Sequence, residues 1–119
     1  TEFSVGLDNN SKLNAVGTAE EPVIFTSSAT NPSCGDWYGI LFSENTSAGS
    51  KLDYCIVSYA GDAQEGAVYV SYCSNRVTIS NTIISNSASC GIFKESANPV
   101  LLNNTFIDNQ GDDICSYEK

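Results

Sequence analysis

The chain has 119 residues, of which 41% are hydrophobic, and its 14 acidic and five basic residues give a formal net charge of −9. This length and apolar content are typical of one folded domain and argue against disorder, while the shortage of Lys and Arg disfavours nucleic acid as a partner. No apolar run is long enough to span a membrane, and the absence of histidine excludes Ser-His-Asp and Cys-His catalysis.

Short apolar segments bounded by Asn, Ser, Gly and Asp recur along the chain and predict strands rather than helices. TEFSV (1–5) already has strand character, which suggests a mature product or an excised piece of a longer chain. Three kinds of strand then follow in a fixed order. In chain order the segments are SKLNAV (11–16), PVIFTSS (22–28), YGILFSE (38–44), SKLDYC (50–55), CIVSYA (55–60), GAVYVSY (66–72), RVTISN (76–81), TIISNS (82–87), CGIFKES (90–96), PVLLNN (99–104), TFIDNQ (105–110) and DDICSYE (112–118).

An internal repeat explains this order. NTIISN (81–86) recurs as NTFIDN (104–109), an offset of 104 − 81 = 23 residues. A repeat of this size predicts a solenoid, a single domain over 1–119 with about four coils of three short strands, in which each strand pairs in parallel with its equivalent in the next coil. Asn81 would then lie over Asn104, and Asn86 over Asn109. Each pair would form a ladder of side-chain amides at a sharp corner.

Three segments resemble a known family. GTAEEPVIFTSS (17–28), DWYGILF (36–42) and SKLDYCIVSYAG (50–61) are similar to the repeats of extracellular right-handed parallel β-helix proteins, the pectate-lyase-like superfamily. The resemblance implies an all-β, right-handed parallel β-helix and an extracellular or cell-surface location. Function does not follow from it, because this superfamily includes pectate lyases, other polysaccharide enzymes and adhesins. Enzymes of this fold usually have many more coils than this chain.

The resemblance also implies which side chains point inward, since the apolar residue after Gly faces the core. The implied columns are Ile40, Val68, Ile92 and Ile114; Leu13, Leu52, Ile79 and Leu102; and Ile24, Ile56, Ile83 and Phe106. Strand alternation then sends Phe25, Val57, Ile84 and Ile107 outward on one face, and Leu41, Tyr69 and Phe93 outward on another. Such apolar stripes need a cover, which either the insert at 27–36 or a partner subunit would supply.

Five cysteines in so short a chain indicate disulfides formed in an oxidising compartment, because no pair has the C-x-x-C spacing of a zinc or redox motif. Cys73 and Cys90 both lie near turns of neighbouring coils and are the predicted pair. The odd count leaves at least one further thiol, and Cys115 would be available for a bond to another chain. Sequons make Asn9 and Asn45 candidate glycosylation sites, while the sequon at Asn103 is better explained by chance.

The remaining polar residues predict no catalytic, cofactor or metal site. Arg76, the only arginine, lies at a turn, and the lysines are isolated. Asp53, Asp108 and Asp112 could be brought together by stacking, but nothing in their spacing requires it. Trp37 beside Tyr38 could stack on a sugar, although covering the long first coil is the better interpretation of Trp37.

Every strong pattern therefore concerns stacking, and no amphipathic cap is visible near either terminus. An uncapped coil exposes strand edges and a cross-section of its core. We expect a non-catalytic, secreted structural or surface protein that self-assembles head-to-tail into an extracellular filament. The alternative is a carbohydrate-binding or polysaccharide-cleaving domain fragment.

Overall fold

A computed structural model describes residues 2–5, 10–62, 64–73 and 77–117, which form thirteen strands. The chain runs through them as a coil, three strands to a turn. The first two coils contain β1 (Glu2–Val5), β2 (Asn14–Val16), β3 (Val23–Phe25), β4 (Gly39–Phe42), β5 (Ser50–Asp53) and β6 (Cys55–Ser58). The next two contain β7 (Gly66–Ser71), β8 (Val77–Ser80), β9 (Ile83–Ser85), β10 (Cys90–Glu95), β11 (Val100–Leu102) and β12 (Thr105–Ile107), and β13 (Ile114–Tyr117) begins a fifth turn.

Equivalent strands of successive coils pair in parallel and build three sheets. The first sheet has the order β1-β4-β7-β10-β13, the second β2-β5-β8-β11 and the third β3-β6-β9-β12. This confirms the predicted all-β parallel β-helix of about four coils. Within the described ranges no helix is long and apolar enough to cross a membrane.

Single residues in the left-handed conformation form the corners between sheets. Between the second and third sheets these are Tyr54, Asn81 and Asn103, with φ values of 53°, 50° and 57°. Asn86 (φ 57°) and Asp108 (φ 55°) occupy the corner that follows the third sheet. Asn and Asp tolerate this conformation better than other non-glycine residues, so the corner role predicted for Asn81 and Asn86 is confirmed.

The stacking register differs by one residue from the repeat read in the sequence. Thr105 pairs with Ile83 and Phe106 with Ile84, an offset of 22 residues rather than 23. The left-handed corner residue of the fourth coil is Asn103, the equivalent of Asn81. Asn104 is therefore the residue after the corner, and the stacking of Ile83 on Phe106 was wrong.

The first inward column was predicted correctly, since Ile40, Val68, Ile92 and Ile114 pair in succession. In the second column Leu52 and Ile79 are correct, but Ala15 and Leu101 replace Leu13 and Leu102. The third column was inverted. It consists of Phe25, Val57, Ile84 and Phe106.

The corner geometry is the physical reason for this inversion. Cys55 follows the left-handed Tyr54 directly and is buried, so the strand starts with an inward residue. Alternation along β6 then buries Val57 and leaves Ile56 half-exposed. The outward positions predicted for Val57 and Ile84 were therefore wrong, because both side chains are fully buried.

The inward residues that follow the corners become more polar along the axis. They are Cys55 and Ala60 in the second coil, and Thr82 and Ser87 in the third. In the fourth coil the same positions hold Asn104 and Asn109. The core thus changes from apolar corners to amide-lined corners as it approaches the last coil.

Candidate functional site

Among the residues that the structure describes, β1, β2 and β3 form the N-terminal end of the stack, and each pairs with a single neighbouring strand, which leaves an open, apolar surface. Phe3 is 43% exposed, and its ring meets that of Phe25 edge-on at a centroid distance of 5.8 Å. Ala15 belongs to the core cluster against which Phe25 packs. Strand edges and aromatic rings are therefore presented together at this end.

The C-terminal end, formed by β11, β12 and β13, is equally uncovered by the described residues. Ile114 is 43% exposed, while Leu101 and Phe106 are half-buried against the core. Gly91 allows the Phe106 ring to close over the last coil, because a Cβ at residue 91 would lie 2.6 Å from Phe106 Cδ1. Side-chain packing shapes this end, and among the described residues no further strand pairs with the outer edges of β11, β12 and β13.

Asn104 and Asn109 line the C-terminal end with two identical sets of hydrogen bonds. The Oδ1 atom of Asn104 accepts from the Thr82 N–H (3.1 Å), and its Nδ2 atom donates to the carbonyl oxygen of Ile79 (2.9 Å). Asn109 repeats the pattern with Ser87 N–H (2.9 Å) and the Ile84 carbonyl (3.0 Å).

These contacts correct the predicted amide ladder. Asn104 and Asn109 bind backbone groups of the coil beneath them, and the Asn81 amide instead donates to Asp53 Oδ1 (3.0 Å). The one-residue shift in register is the cause, since it places Thr82 and Ser87 where partner amides were expected. Each backbone group satisfied in this way avoids a desolvation cost of about 1–3 kcal/mol.

A disulfide between Cys90 and Cys115, with a Cα–Cα distance of 6.1 Å, ties β13 to β10. The predicted Cys73–Cys90 bond and the intermolecular role of Cys115 were both wrong. Cys73 follows the end of β7, whereas Cys90 pairs with Gly66 at the start of that strand. Six residues of strand put the two cysteines about 20 Å apart. Cys73 is buried, and its thiol donates to the Phe42 carbonyl (3.6 Å).

A spacing signal for the correct pair was present in the sequence. Cys90 and Cys115 are 25 residues apart, close to one coil, and belong to equivalent strands of the first sheet. Cys73 and Cys90 are 90 − 73 = 17 residues apart, which is shorter than a coil. A cysteine pair separated by one full coil is the pattern that could have identified the disulfide.

The first-sheet groove is a concavity of about 590 Å³ on the outer face of β4, β7 and β10. Leu41 and Tyr69 line it, and Phe93 continues the same outward column. The Tyr69 and Phe93 rings pack at a centroid distance of 4.9 Å, and Phe93 is buried. This predicted apolar face exists, but Leu41 and Tyr69 are half-buried, and Gln64 and Glu65 line the groove beside them.

A carboxylate organises the polar side of the groove. Glu95 Oε1 accepts hydrogen bonds from the Tyr69 hydroxyl and from Ser71 Oγ, both at 3.0 Å. Burial, followed by this hydrogen bond and the Glu95 charge, raises the pKa of Tyr69 to about 12. The phenol is thereby held neutral as a donor to Glu95.

We expect one tyrosine to titrate near pH 12 in ultraviolet difference spectra, because burial and the neighbouring Glu95 carboxylate both disfavour the ionised form of Tyr69. The folded-state pKa of Tyr69 lies above the unfolded value near 10. The contribution of the neutral Tyr69 phenol to stability is therefore complete below pH 10 and is lost as pH rises through about 12. Tyr69→Phe should remove the late step, and Glu95→Gln should shift it towards pH 10. An unchanged late step in Tyr69→Phe would contradict the assignment.

The apolar stripe that remains exposed lies on the third sheet and is defined by Ile24, Ile56 and Ile83. Ile24 is 58% exposed and Ile83 37%. Ile107 is exposed as predicted, at 45%, in the last coil. This lateral stripe replaces the one predicted from the opposite parity.

The residues considered for catalysis have structural partners or lie apart. Asp53 accepts from Ser80 Oγ and from the Asn81 amide. Trp37 packs against the core and donates to the Ser58 carbonyl (2.9 Å). In the part of the chain that the structure describes, no three His, Cys, Asp or Glu side chains are grouped as metal ligands would be. Arg76 lies outside the described residues.

The sequons differ in their surroundings. Asn45 is half-buried, and Thr46 beside it is buried and donates to the carbonyl oxygens of Ser43 (2.7 Å) and Val5 (3.2 Å). Asn103, whose sequon is better explained by chance, is exposed at a corner. Asn9 lies outside the described residues. Glycosylation at Asn9 and Asn45 stays a prediction.

The stacked coils and the two open ends define a small solenoid of the parallel β-helix class. The family model described as "Right handed beta helix region" matches residues 9–118, and the chain belongs to that family. No curated protein matches the chain, and no solved structure matches it either. Membership of the family establishes the repeat architecture and leaves activity to be argued from the surfaces described above.

Proposed function

We propose that this protein is a non-catalytic structural β-helix of the extracellular space that self-associates head-to-tail through its two ends. The observation that carries the proposal is the pair of open ends, where apolar side chains lie beside unpaired strand edges. Phe3 and Phe25 provide the apolar surface at one end, and Leu101, Phe106 and Ile114 provide it at the other. Uncovered edges of this kind favour the addition of further strands.

Head-to-tail contact is favoured over other arrangements by strand direction. Every strand pairing among the described residues is parallel. Only a copy placed N-terminal end on C-terminal end continues that pairing, whereas two like ends would have to pair antiparallel. A heterologous contact that does not close produces an open-ended filament. The Cys90–Cys115 disulfide supports an oxidising, extracellular setting.

Charge on both ends should make this association dependent on salt. Glu20 and Glu21 are exposed in the first coil, and Asp108, Asp112 and Asp113 are exposed after the last complete coil. Like charges would repel at the junction until counterions screen them, since the Debye length falls from about 30 Å at 0.01 M salt to about 8 Å at 0.15 M. Association is therefore expected to strengthen with ionic strength.

Sedimentation velocity over a concentration series, repeated at low and physiological salt, tests the proposal. The expected result is a ladder of species without a preferred size that grows with concentration and with salt. Ile83→Ser changes the lateral stripe in β9, which belongs to neither end of the stack, and should behave as the parent. A monomer at every concentration, or a dimer that never extends, would rule out the head-to-tail filament.

Carbohydrate binding in the first-sheet groove is the second candidate, favoured by the phenol and carboxylate that meet there. Tyr69, supported by the buried Phe93 ring, provides aromatic surface, and Glu65, Ser71 and Glu95 provide polar groups. Calorimetry with neutral and acidic oligosaccharides, using Tyr69→Phe and Glu95→Gln as variants, tests this candidate. Binding that both variants weaken would support it, and unsaturated products from acidic polysaccharides would add cleavage.

A further inference from the structure

The number of strands in the described residues limits how two copies can stack, and the following inference rests on the proposed head-to-tail association. Twelve strands complete four coils, and β13 occupies one more position in the first sheet. The first sheet consequently has five strands, while the second and third have four. A second copy cannot simply continue the coil, because its own first strand, β1, also belongs to the first sheet.

A simple end contact would leave the junction incomplete. If β1 of the second copy paired with β13 of the first, one strand position would stay empty in the second sheet and one in the third. The edges of β11 and β12 would then face those of β2 and β3 across about 10 Å, twice the spacing of ~4.8 Å between paired strands. Buried polar groups along these edges would have no partners, which is costly.

We propose that β13 of one copy takes the place of β1 in the next copy, so that each junction is formed by strand replacement. With β1 displaced, β2 and β3 of the second copy follow β13 directly and pair with β11 and β12 of the first. β13 then lies between its own β10 and the β4 of its neighbour. Twelve strands per copy produce four complete coils, and all three sheets continue without a gap.

The two strands are equivalent in register, which is the basis for the replacement. Phe3 pairs with Ile40 on one side of the first sheet, and Ile114 pairs with Ile92 on the other. Both therefore belong to the same inward column, and Ile114 can cover Ile40 as Phe3 does. The exchange is less favourable at the next inward position, where Ser116 would replace the buried Val5. Pairing of β2 and β3 in the junction offsets that loss.

The covalent structure determines which strand moves. The disulfide to Cys90 holds β13 on its own copy through Cys115. β1 contains no cysteine, and backbone pairing with β4, the Phe3–Phe25 ring contact and hydrogen bonds to the Val5 carbonyl hold it in place. Noncovalent contacts at an edge open more readily than a cross-linked strand. β1 is therefore the strand that leaves, and β13 is the strand that donates.

Hydrogen exchange on the unmodified protein tests the replacement directly. In assemblies collected by sedimentation, amides of β1 should lose protection relative to the monomer, while those of β4 keep it and those of β2, β3, β11 and β12 gain it. Retention of β1 protection in the assembled state would overturn the replacement and leave a simple end contact. This readout requires no variant and does not depend on whether a substituted chain folds.

Two substitutions are predicted to have opposite effects on association between copies. Phe3→Ser weakens β1 at an exposed edge, raises the population of the competent form and should strengthen association about tenfold. Ile114→Ser weakens the donated strand and should reduce association by a similar factor, with Ile83→Ser in β9 as the unchanged control. Equal weakening by Phe3→Ser and Ile114→Ser would overturn strand replacement alone. A monomeric parent together with a monomeric Phe3→Ser variant would overturn the proposed function as well.

Discussion

Replacing Ile84 by alanine is expected to lower the free energy of unfolding by about 3 kcal/mol, within the 2–5 kcal/mol typical of buried aliphatic truncations. Ile84 is fully buried and lies in the inward column between Val57 and Phe106. The neighbouring coils hold the walls of that site through parallel pairing on both sides. The cavity left by alanine can therefore collapse only in part.

Ile83 is the matched control for this prediction. It is the preceding residue in the same strand, but it points outward into the lateral stripe and is 37% exposed. Ile83→Ala should cost less than about 1 kcal/mol, because it removes only partly buried surface. Urea unfolding followed by circular dichroism measures both variants. A larger loss for Ile83→Ala than for Ile84→Ala would contradict the inward assignment of Ile84.

The strand pattern was predictable from the sequence because it depends on local chemistry. Short β-branched segments separated by Asn, Ser, Gly and Asp recur at nearly constant spacing, and each predicted segment contains a strand of the structure. The first inward column was also predictable, because a glycine precedes its inward residue in β4 and β10. Repetition makes such patterns easier to recognise in a sequence, because every coil has the same arrangement of strands and corners.

Which residues of the third sheet face the core was not predictable in the same way. Ile83 and Ile84, like Ile56 and Val57, are adjacent apolar residues, so hydrophobicity alone does not decide which of them faces the core. The corner determines which residue faces the core, because the left-handed residue Asn81 turns the side chain of the residue after it inward. The alignment of NTIISN with NTFIDN hid this corner, because Asn103 rather than Asn104 takes the left-handed conformation.

The two candidate surfaces also differ in whether the sequence predicted them. The open ends were expected from the absence of any capping pattern, and the described residues leave both ends uncovered. The first-sheet groove was not expected, because Tyr69, Ser71 and Glu95 come together only when β7 pairs with β10. Contacts between coils depend on register, and register requires the corner conformations that the sequence pattern did not resolve.

Loss of the Cys90–Cys115 disulfide is expected to lower the free energy of unfolding by roughly 3.5 kcal/mol. The bond closes a loop with a sequence separation of 25 residues, and the chain-entropy relation assigns ~3.5 kcal/mol to a loop of that length. The position of the disulfide on the last strand increases the effect of losing it. Within the described part of the chain β13 pairs with β10 alone, so without the bond its four residues are held at one edge.

The double variant Cys90→Ser/Cys115→Ser, compared with the oxidised parent by urea unfolding, measures this contribution without a reducing agent. Cys34→Ser is the matched control, because Cys34 is a half-buried cysteine outside the disulfide and its replacement should change stability by less than about 0.5 kcal/mol. Cys55 is a poor control, since burial raises the pKa of its thiol and substitution would disturb the core. Hydrogen exchange should place the loss first in β13, with the second and third sheets still protected. An equal loss in Cys34→Ser, or a double variant as stable as the parent, would show that pairing with β10 holds the last strand unaided.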